Sequence, residues 1–156
     1  MKILVAMSGG VDSSVVAGLL KSQGHEVIGV TMKLWEGANG EMPETGCCTA
    51  SDSEDARKVA AKLDIPYYVM DYTESFSEDV VDNFVGMYAK GLTPNPCVEC
   101  NRSVKFDHFI TQAKKLNCEK VATGHYAKII KNKNEYELHK ADYLDKDQSY
   151  VLHMLT

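Results

Sequence analysis

The stretch Val5-Ala6-Met7-Ser8-Gly9-Gly10-Val11-Asp12-Ser13-Ser14-Val15-Val16 decides the fold. An apolar run, Ile3 to Met7, stops at Ser8-Gly9-Gly10, and helix-favouring residues resume after Asp12-Ser13. The pattern predicts a strand, a glycine turn and a helix start. Two adjacent glycines let backbone amides approach a bulky anion without obstruction by Cβ. The helix behind them aims free N–H groups and the positive end of its dipole at the same point. Ser8, Ser13 and Ser14 add hydroxyl donors, and Asp12 offers a carboxylate to a magnesium ion that accompanies phosphates. The expected ligand is a polyphosphate.

Outward from this loop, strands and helices alternate. Lys2–Met7 reads as the first strand, Ser13–Gln23 as the first helix and Glu26–Met32 as a strand covered on both faces. A Gly- and Glu-rich loop, residues 36–46, follows, and Ser51-Asp52-Ser53-Glu54 reads as a capping box opening a helix through Leu63. Tyr67–Asp71 reads as a strand, Ser77–Lys90 as a helix, Ser103–Leu116 as another and Lys120–Thr123 as a short strand. Tyr126–Ile130 and Glu135–His139 read as a small β-hairpin near the C-terminus, and Ser149–Leu155 as a helix just beginning. Strands spaced by helices predict right-handed crossovers and an α/β fold with a doubly wound parallel sheet. Ligands of such sheets sit beyond the carboxyl ends of the strands. The loops 8–13, 32–35, 47–49, 94–101 and 124–126 fall there. Tyr67, Tyr68, Phe106 and Phe109 read as core rather than as a base-stacking platform.

The loop lacks the Gly-x4-Gly-Lys-Ser/Thr form of kinase-type P-loops, since no lysine follows Gly10 before Lys21. The dinucleotide Gly-x-Gly-x-x-Gly is absent too. Ser8-Gly9-Gly10-Val11-Asp12-Ser13 instead resembles the PP-loop of ATP pyrophosphatases, which implies a grip on the pyrophosphate part of ATP and adenylation of an acceptor.

The 156 residues suit one domain with a proper core. No apolar run approaches the ~20 residues of a membrane span, so no membrane partner is expected. The chain starts straight into a strand without a charged-then-apolar leader. Five cysteines beside a nucleotide loop point to reduced thiols and a cytoplasmic protein. A net charge of −5 argues against a whole-surface nucleic-acid binder. It leaves room for a local basic face: Lys114, Lys115, Lys120, Lys128, Lys131, Lys133 and Lys140 face only Glu119, Glu135 and Glu137 over the same segment.

Cys97-Val98-Glu99-Cys100 is a Cys-x-x-Cys on a proline-rich loop. Structural zinc would need another Cys/His pair, and the adjacent Cys47-Cys48 would strain a closed tetrahedral site. A redox or sulfur-handling thiol pair is a second reading, with Asn101 as N-cap of the helix containing Lys105. An iron–sulfur cluster with a further cysteine is a third. Two packing cysteines are the bland alternative. Cys118 follows a helix end and reads as inert. His125 reads equally as a nucleotide contact or as a hydrogen-bonded structural histidine.

Seven segments occur in order with the spacing of the tRNA-specific 2-thiouridylases: Ser8–Ser13, Met32–Trp35, Cys47–Thr49, Thr93–Asn101, Val104–Phe106, Thr123–Ala127 and Asp145–Tyr150. The chain resembles that family throughout. The resemblance implies a PP-loop, adenine-nucleotide alpha-hydrolase-like (Rossmann-like) fold and ATP-dependent 2-thiolation of the wobble uridine of tRNA. It implies that Ala6, Met7, Ser8, Gly9, Gly10, Val11, Asp12 and Ser13 bind ATP phosphates, with Met32 and Gly124 lining the adenosine pocket. Asn95, Pro96 and Cys97 match the segment that meets the target base, Lys146, Asp147 and Gln148 a tRNA-contacting segment, and Cys100 the first of two catalytic cysteines. Many members carry Asp where Cys97 stands, so base or ligand roles of that Asp do not transfer. The family's second catalytic cysteine and tRNA-binding domains lie beyond residue 156, so the chain is expected to be the N-terminal catalytic part of a longer enzyme. The implied partners are tRNA and a persulfide donor protein of a sulfur relay. Another PP-loop adenylating enzyme, a cluster-dependent thiolase and a non-catalytic ATP-binding fragment are the competing expectations.

Overall fold

The fold is described from a computed structural model, over residues 1–36, 40, 49–133 and 135–155. Most of the expected 36–46 loop, with Cys47 and Cys48, lies outside the described residues. Strand β1 (Lys2–Ala6) pairs in parallel with β2 (Glu26–Lys33) on one side and β4 (Lys120–Ala122) on the other. Strand β3 (Tyr67–Asp71) adds in parallel to β2, so the sheet of the described residues has the order β3-β2-β1-β4. The chain steps outward from β1 to β3, then returns to the far side of β1. That reversal opens a crevice between β1 and β4 at their carboxyl ends.

Alternation along β1 and β2 sends side chains to two separate cores. Leu4, Ile28, Val30 and Met32 pack on one face with Phe76, Val80, Val104 and Phe109. Ile3, Val5 and Val27 pack on the other with Ala17 of α1 (Val11–Ser22), Ala56 and Ala60 of α2 (Ala50–Lys62), and Ile65. Small alanines at these contacts let both helices lie close to the sheet. Each large apolar side chain buried here contributes about 1.5–3 kcal/mol. Helices on both faces make the sheet doubly wound, as the sequence predicts.

The first face is covered by two long helical runs. One comprises α3 (Thr73–Phe76), a π-helical stretch Ser77–Asp82 and α4 (Asn83–Ala89). The other comprises α5 (Pro96–Cys100), a π-helical stretch Asn101–His108 and α6 (Phe109–Lys115). Strands β5 (Lys128–Asn132) and β6 (Glu135–His139) form the expected antiparallel hairpin, apart from the main sheet, with β5 starting at Lys128 rather than at the expected Tyr126.

Several sequence expectations need correction. Helix α1 starts at Val11 rather than Ser13, because Gly9 takes the bend alone (φ +79°) and Gly10 is already the extended N-cap. The capping box of α2 is Thr49 with Asp52, not Ser51 with Glu54: Asp52 N–H donates to Thr49 Oγ1 (3.1 Å) and Thr49 N–H to Asp52 Oδ2 (3.0 Å). The helix expected from Ser103 begins at Pro96, and Asn95 rather than Asn101 caps it. Asn95 Oδ1 accepts from Cys97 N–H (3.0 Å) and Val98 N–H (3.3 Å). Pro96 sits at the first helical position, where a missing N–H costs nothing. The helix expected from Ser77 starts four residues earlier, at Thr73. Of Ser149–Leu155, only Ser149–Val151 forms a helical turn, of 3-10 type. Tyr68 is not core: it is 51 % exposed on β3, whereas Phe109 is fully buried.

Candidate functional site

A cavity of ≈ 540 Å³ opens at the carboxyl ends of β1, β2 and β4, where the reversal of strand order predicts a ligand site. Its floor is the glycine loop. Ala6, Met7, Ser8, Gly10, Asp12 and Ser13 line it. Ser13, buried, accepts from Ser8 N–H (3.2 Å) and donates to Gly10 O (3.1 Å), while Ser14 Oγ donates to the same carbonyl (2.9 Å). The serines thus hold the loop in shape. Met7 is fixed from both sides: its N–H donates to Val30 O (2.8 Å), and its carbonyl accepts from the buried Thr31 hydroxyl (2.7 Å), which Tyr67 OH contacts in turn (2.7 Å).

Among the described residues no side chain caps α1. Helix α2 and the run from Pro96 both carry side-chain caps, so their first amides are occupied. Gly10, Asp12 and Ser13 line the cavity at this N-terminus, and no side chain among the described residues takes its first-turn amides, an arrangement suited to anions. Two glycines make the approach possible. Around Gly9 a Cβ would come within 2.7 Å of Asp52 Cα, and around Gly124 within 2.8 Å of Ser13 N. The β4 loop and the start of α2 therefore close directly onto the glycine loop.

The wall under β2 is apolar: Val30, Met32, Leu34, Trp35 and Phe76 line it, with Trp35 edge-on to Phe76 at 4.9 Å between centroids. The opposite wall comes from the run that starts at Pro96 and carries Cys97, Cys100, Asn101 and Lys105. Cys97 is exposed and Cys100 buried. The helix N-terminus lies at Cys97 rather than Cys100. Asn101 Nδ2 donates to Cys97 O (2.9 Å), and its buried Oδ1 has no partner among the described residues. Such an orphaned acceptor costs about 1–3 kcal/mol unless a donor reaches it.

Thr123, Gly124 and His125 complete the lining with Gln148. The His125 ring shares a hydrogen bond with Thr123 Oγ1 (2.9 Å). Burial, helped by the Lys105 charge, pushes its pKa down to about 4, so the imidazole is neutral at pH 7. Two hydrogen bonds to its Thr49 partner hold the Asp52 carboxyl below its usual range. Tyr126 OH donates to Asp12 Oδ1 (3.1 Å), and the backbone of Tyr126 exchanges hydrogen bonds with Gln148 (3.0 and 2.8 Å).

Most sequence-predicted residues thus meet in one cavity, Met32, Pro96, Cys97, Cys100, Gly124 and Gln148 with the loop. Others stand outside its lining. Gly9 backs onto Asp52, Val11 is 77 % exposed, and Asn95 is a helix cap. Lys146 lies over the Tyr126 ring (5.5 Å). Asp147 accepts from Ala141 N–H and Ser149 Oγ (both 2.7 Å), which holds its carboxyl below the usual range. Sequence reasoning misses Asp52, Phe76 and Lys105 as site residues. Phe76 lies in no motif, Asp52 reads only as part of a capping box, and Lys105 lies inside Val104-Lys105-Phe106, a segment of the resemblance with no role attached to the lysine. Among the described residues no three His, Cys, Asp or Glu side chains gather as a metal site. A cluster on Cys97 and Cys100 therefore has two described ligands, and nothing in the donor set supports it.

The sequence profile of the tRNA methyl transferase HUP domain family matches residues 1–156. The chain belongs to this family. Among curated relatives, the tRNA-specific 2-thiouridylase MnmA of Clostridioides difficile is 52 % identical over 157 residues, covering 99 % of this chain and 44 % of the relative. That of Chloroflexus aurantiacus is 52 % identical over 154 residues, covering 98 % of this chain and 43 % of the relative. The chain thus spans less than half the length of these proteins. Among solved structures, the NMN synthetase of Francisella tularensis has a TM-score of 0.51 at 17 % identity, over 80 % of this chain and 45 % of that one. The NH3-dependent NAD synthetase of Campylobacter jejuni has a TM-score of 0.52 at 18 % identity, over 80 % and 47 %. The HUP domain therefore shares its fold with both. No described helix of this HUP domain is long and apolar enough to cross a membrane.

Proposed function

We propose that this chain binds ATP and adenylates the C2 carbonyl oxygen of a tRNA uridine, the activating step of 2-thiolation. The observation that carries the reading is the shared cavity: an uncapped helix N-terminus behind two glycines opens into the same space as Cys97 and Cys100. A uracil carbonyl oxygen is a poor leaving group, and adenylation turns it into one. Donors of the loop stabilise the charge that develops on the departing pyrophosphate. The apolar wall of Met32, Trp35 and Phe76 suits an adenine ring, with Gly124 letting the nucleotide lie close to the backbone. Asp12 fits a magnesium ion, which binds through one or two carboxylates together with phosphates. Magnesium would supply charge neutralisation on the phosphates.

In this reading the outer sulfur of a persulfide, supplied by a relay protein, attacks the activated carbon and AMP departs with the oxygen. The Cys100 thiolate then attacks the inner sulfur, the S–S bond breaks, the outer sulfur stays on the uridine and a disulfide to Cys100 forms. Pro96 and Cys97 line the cavity and Asn95 caps their helix, so this segment would meet a flipped-out base. Gln148 tethers the Lys146–Gln148 segment to Tyr126, so tRNA contact there would be transmitted to Asp12. The names of the curated relatives support uridine thiolation. The family description names methyl transfer instead, which would require a methyl donor such as S-adenosylmethionine.

Pyrophosphate exchange into ATP, dependent on a tRNA with uridine at the wobble position, tests the proposal. AMP and pyrophosphate are the expected products. Formation of ADP, or retention of S-adenosylmethionine but not ATP, would overturn it.

A further inference from the structure

The wall facing the glycine loop owes its composition to helix register. Between Asn101 and His108 the ladder is π-helical, closing from residue i to i+5. Residues four and five apart then share a side, so Lys105 stays beside both Asn101 and Cys100. A straight α ladder favours i+3 and i+4 neighbours and would turn Lys105 away from Cys100. Short π stretches of this kind recur at functional sites.

Lys105 is the only lysine or arginine among the described residues lining the cavity. Its neighbours on the helix have acidic partners: Arg102 pairs with Glu99 and Asp107, and His108 with Asp79. Lys105 joins no ion pair and no side-chain hydrogen bond among the described residues, although it is half-buried. The two carboxylates in the lining are engaged elsewhere, Asp52 with Thr49 and Asp12 with Tyr126. Its charge is felt across the cavity at His125. An ammonium on the cavity wall with no counter-ion among the described residues can serve as half of a charge pair whose other half belongs to a ligand.

The loop itself contains no lysine, and its uncapped amides suit the terminal phosphates. Lys105 stands instead on the thiol-bearing wall, where the acceptor oxygen and the incoming sulfur would meet. We propose that Lys105 grips the α-phosphate of the nucleotide, as a catalytic residue that remains on this group while it is transferred. The proposal rests on the ATP reading above. In the step it serves, the uracil oxygen bonds to the α-phosphorus as the bond from that phosphorus to the α,β-bridging oxygen breaks. Pyrophosphate leaves with the electron pair, the N3 proton goes to water, and the ammonium offsets charge on the non-bridging oxygens throughout.

Titration calorimetry with AMP and with inorganic pyrophosphate separates the two ends of the site. Lys105→Met should weaken AMP binding at least ~10-fold, as expected for loss of a charge-assisted bond, with pyrophosphate binding unchanged. Lys105→Arg should recover part of the AMP affinity. In the same variant without nucleotide, the His125 imidazole should titrate at higher pH by NMR, a readout that also reports an intact fold. Unchanged AMP affinity, or equal loss of both ligands, would overturn the assignment. A wild-type chain that binds neither ligand would instead bring down the ATP reading itself, and this inference with it.

Discussion

At the scale of single residues, the site depends on positions where nothing larger fits. Gly9 and Gly24 share nearly the same left-handed conformation (φ +79° and +81°), but only Gly9 meets backbone, that of Asp52. Gly9→Ala should therefore destabilise the protein by at least about 1 kcal/mol more than Gly24→Ala, since the strain of positive φ is common to both and the clash is not. Urea unfolding of the two variants decides this, and equal losses would refute it. His125 makes a second, opposite kind of demand. Its folded pKa of about 4 lies below the unfolded value of 6.5. Between these values the unfolded chain holds a proton that the folded protein excludes, so acid favours unfolding. Stability should fall from pH 6.5 toward 4 by an amount on the order of 2 kcal/mol and be flat, for this group, above 6.5. In His125→Gln that acid limb should shrink, and an unchanged pH profile of the melting temperature would contradict the assignment.

At the scale of elements, helices differ in how their first amides are used. Thr49 and Asn95 cap their helices with side chains, whereas α1 and α3 start without a side-chain cap among the described residues. Asn95→Ala should cost about 1 kcal/mol and speed amide exchange at Cys97 and Val98, with Asn95→Asp retaining most of both. Exchange at those amides unchanged by the alanine would show that the cap does not hold this helix. Local sequence rules located nearly every element but missed how the functional ones begin. Pro94 and Pro96 read as breakers, yet Pro96 starts a helix. Ser51-x-x-Glu54 and Thr49-x-x-Asp52 satisfy similar capping logic, and the choice falls on the pair whose Asp52 packs beside Gly9. The π stretches Ser77–Asp82 and Asn101–His108 have no signature in spacing.

At the scale of the molecule, one sheet separates two cores that share strands but not helices. Ile28 belongs to one and Ile65 to the other. Ile28→Val and Ile65→Val should each cost about 0.5–1.5 kcal/mol, and the double variant should equal their sum within about 0.5 kcal/mol. A larger discrepancy by urea titration would mean that the faces are coupled through the sheet. The separation has a functional side. The second core fixes α1 and the glycine loop, and the first fixes the helix that carries both thiols, so the two halves of the cavity are held by independent packing.

The sequence by itself determined the alternation of strand and helix, the glycine loop at the end of β1 and the family, because these rest on local periodicity and on backbone freedom at adjacent glycines. Tertiary structure alone decided that Cys97, Asn101 and Lys105 face that loop across one cavity. Their approach depends on the order of strands in the sheet and on the register of a long helix, and both are set by contacts between residues distant in the chain.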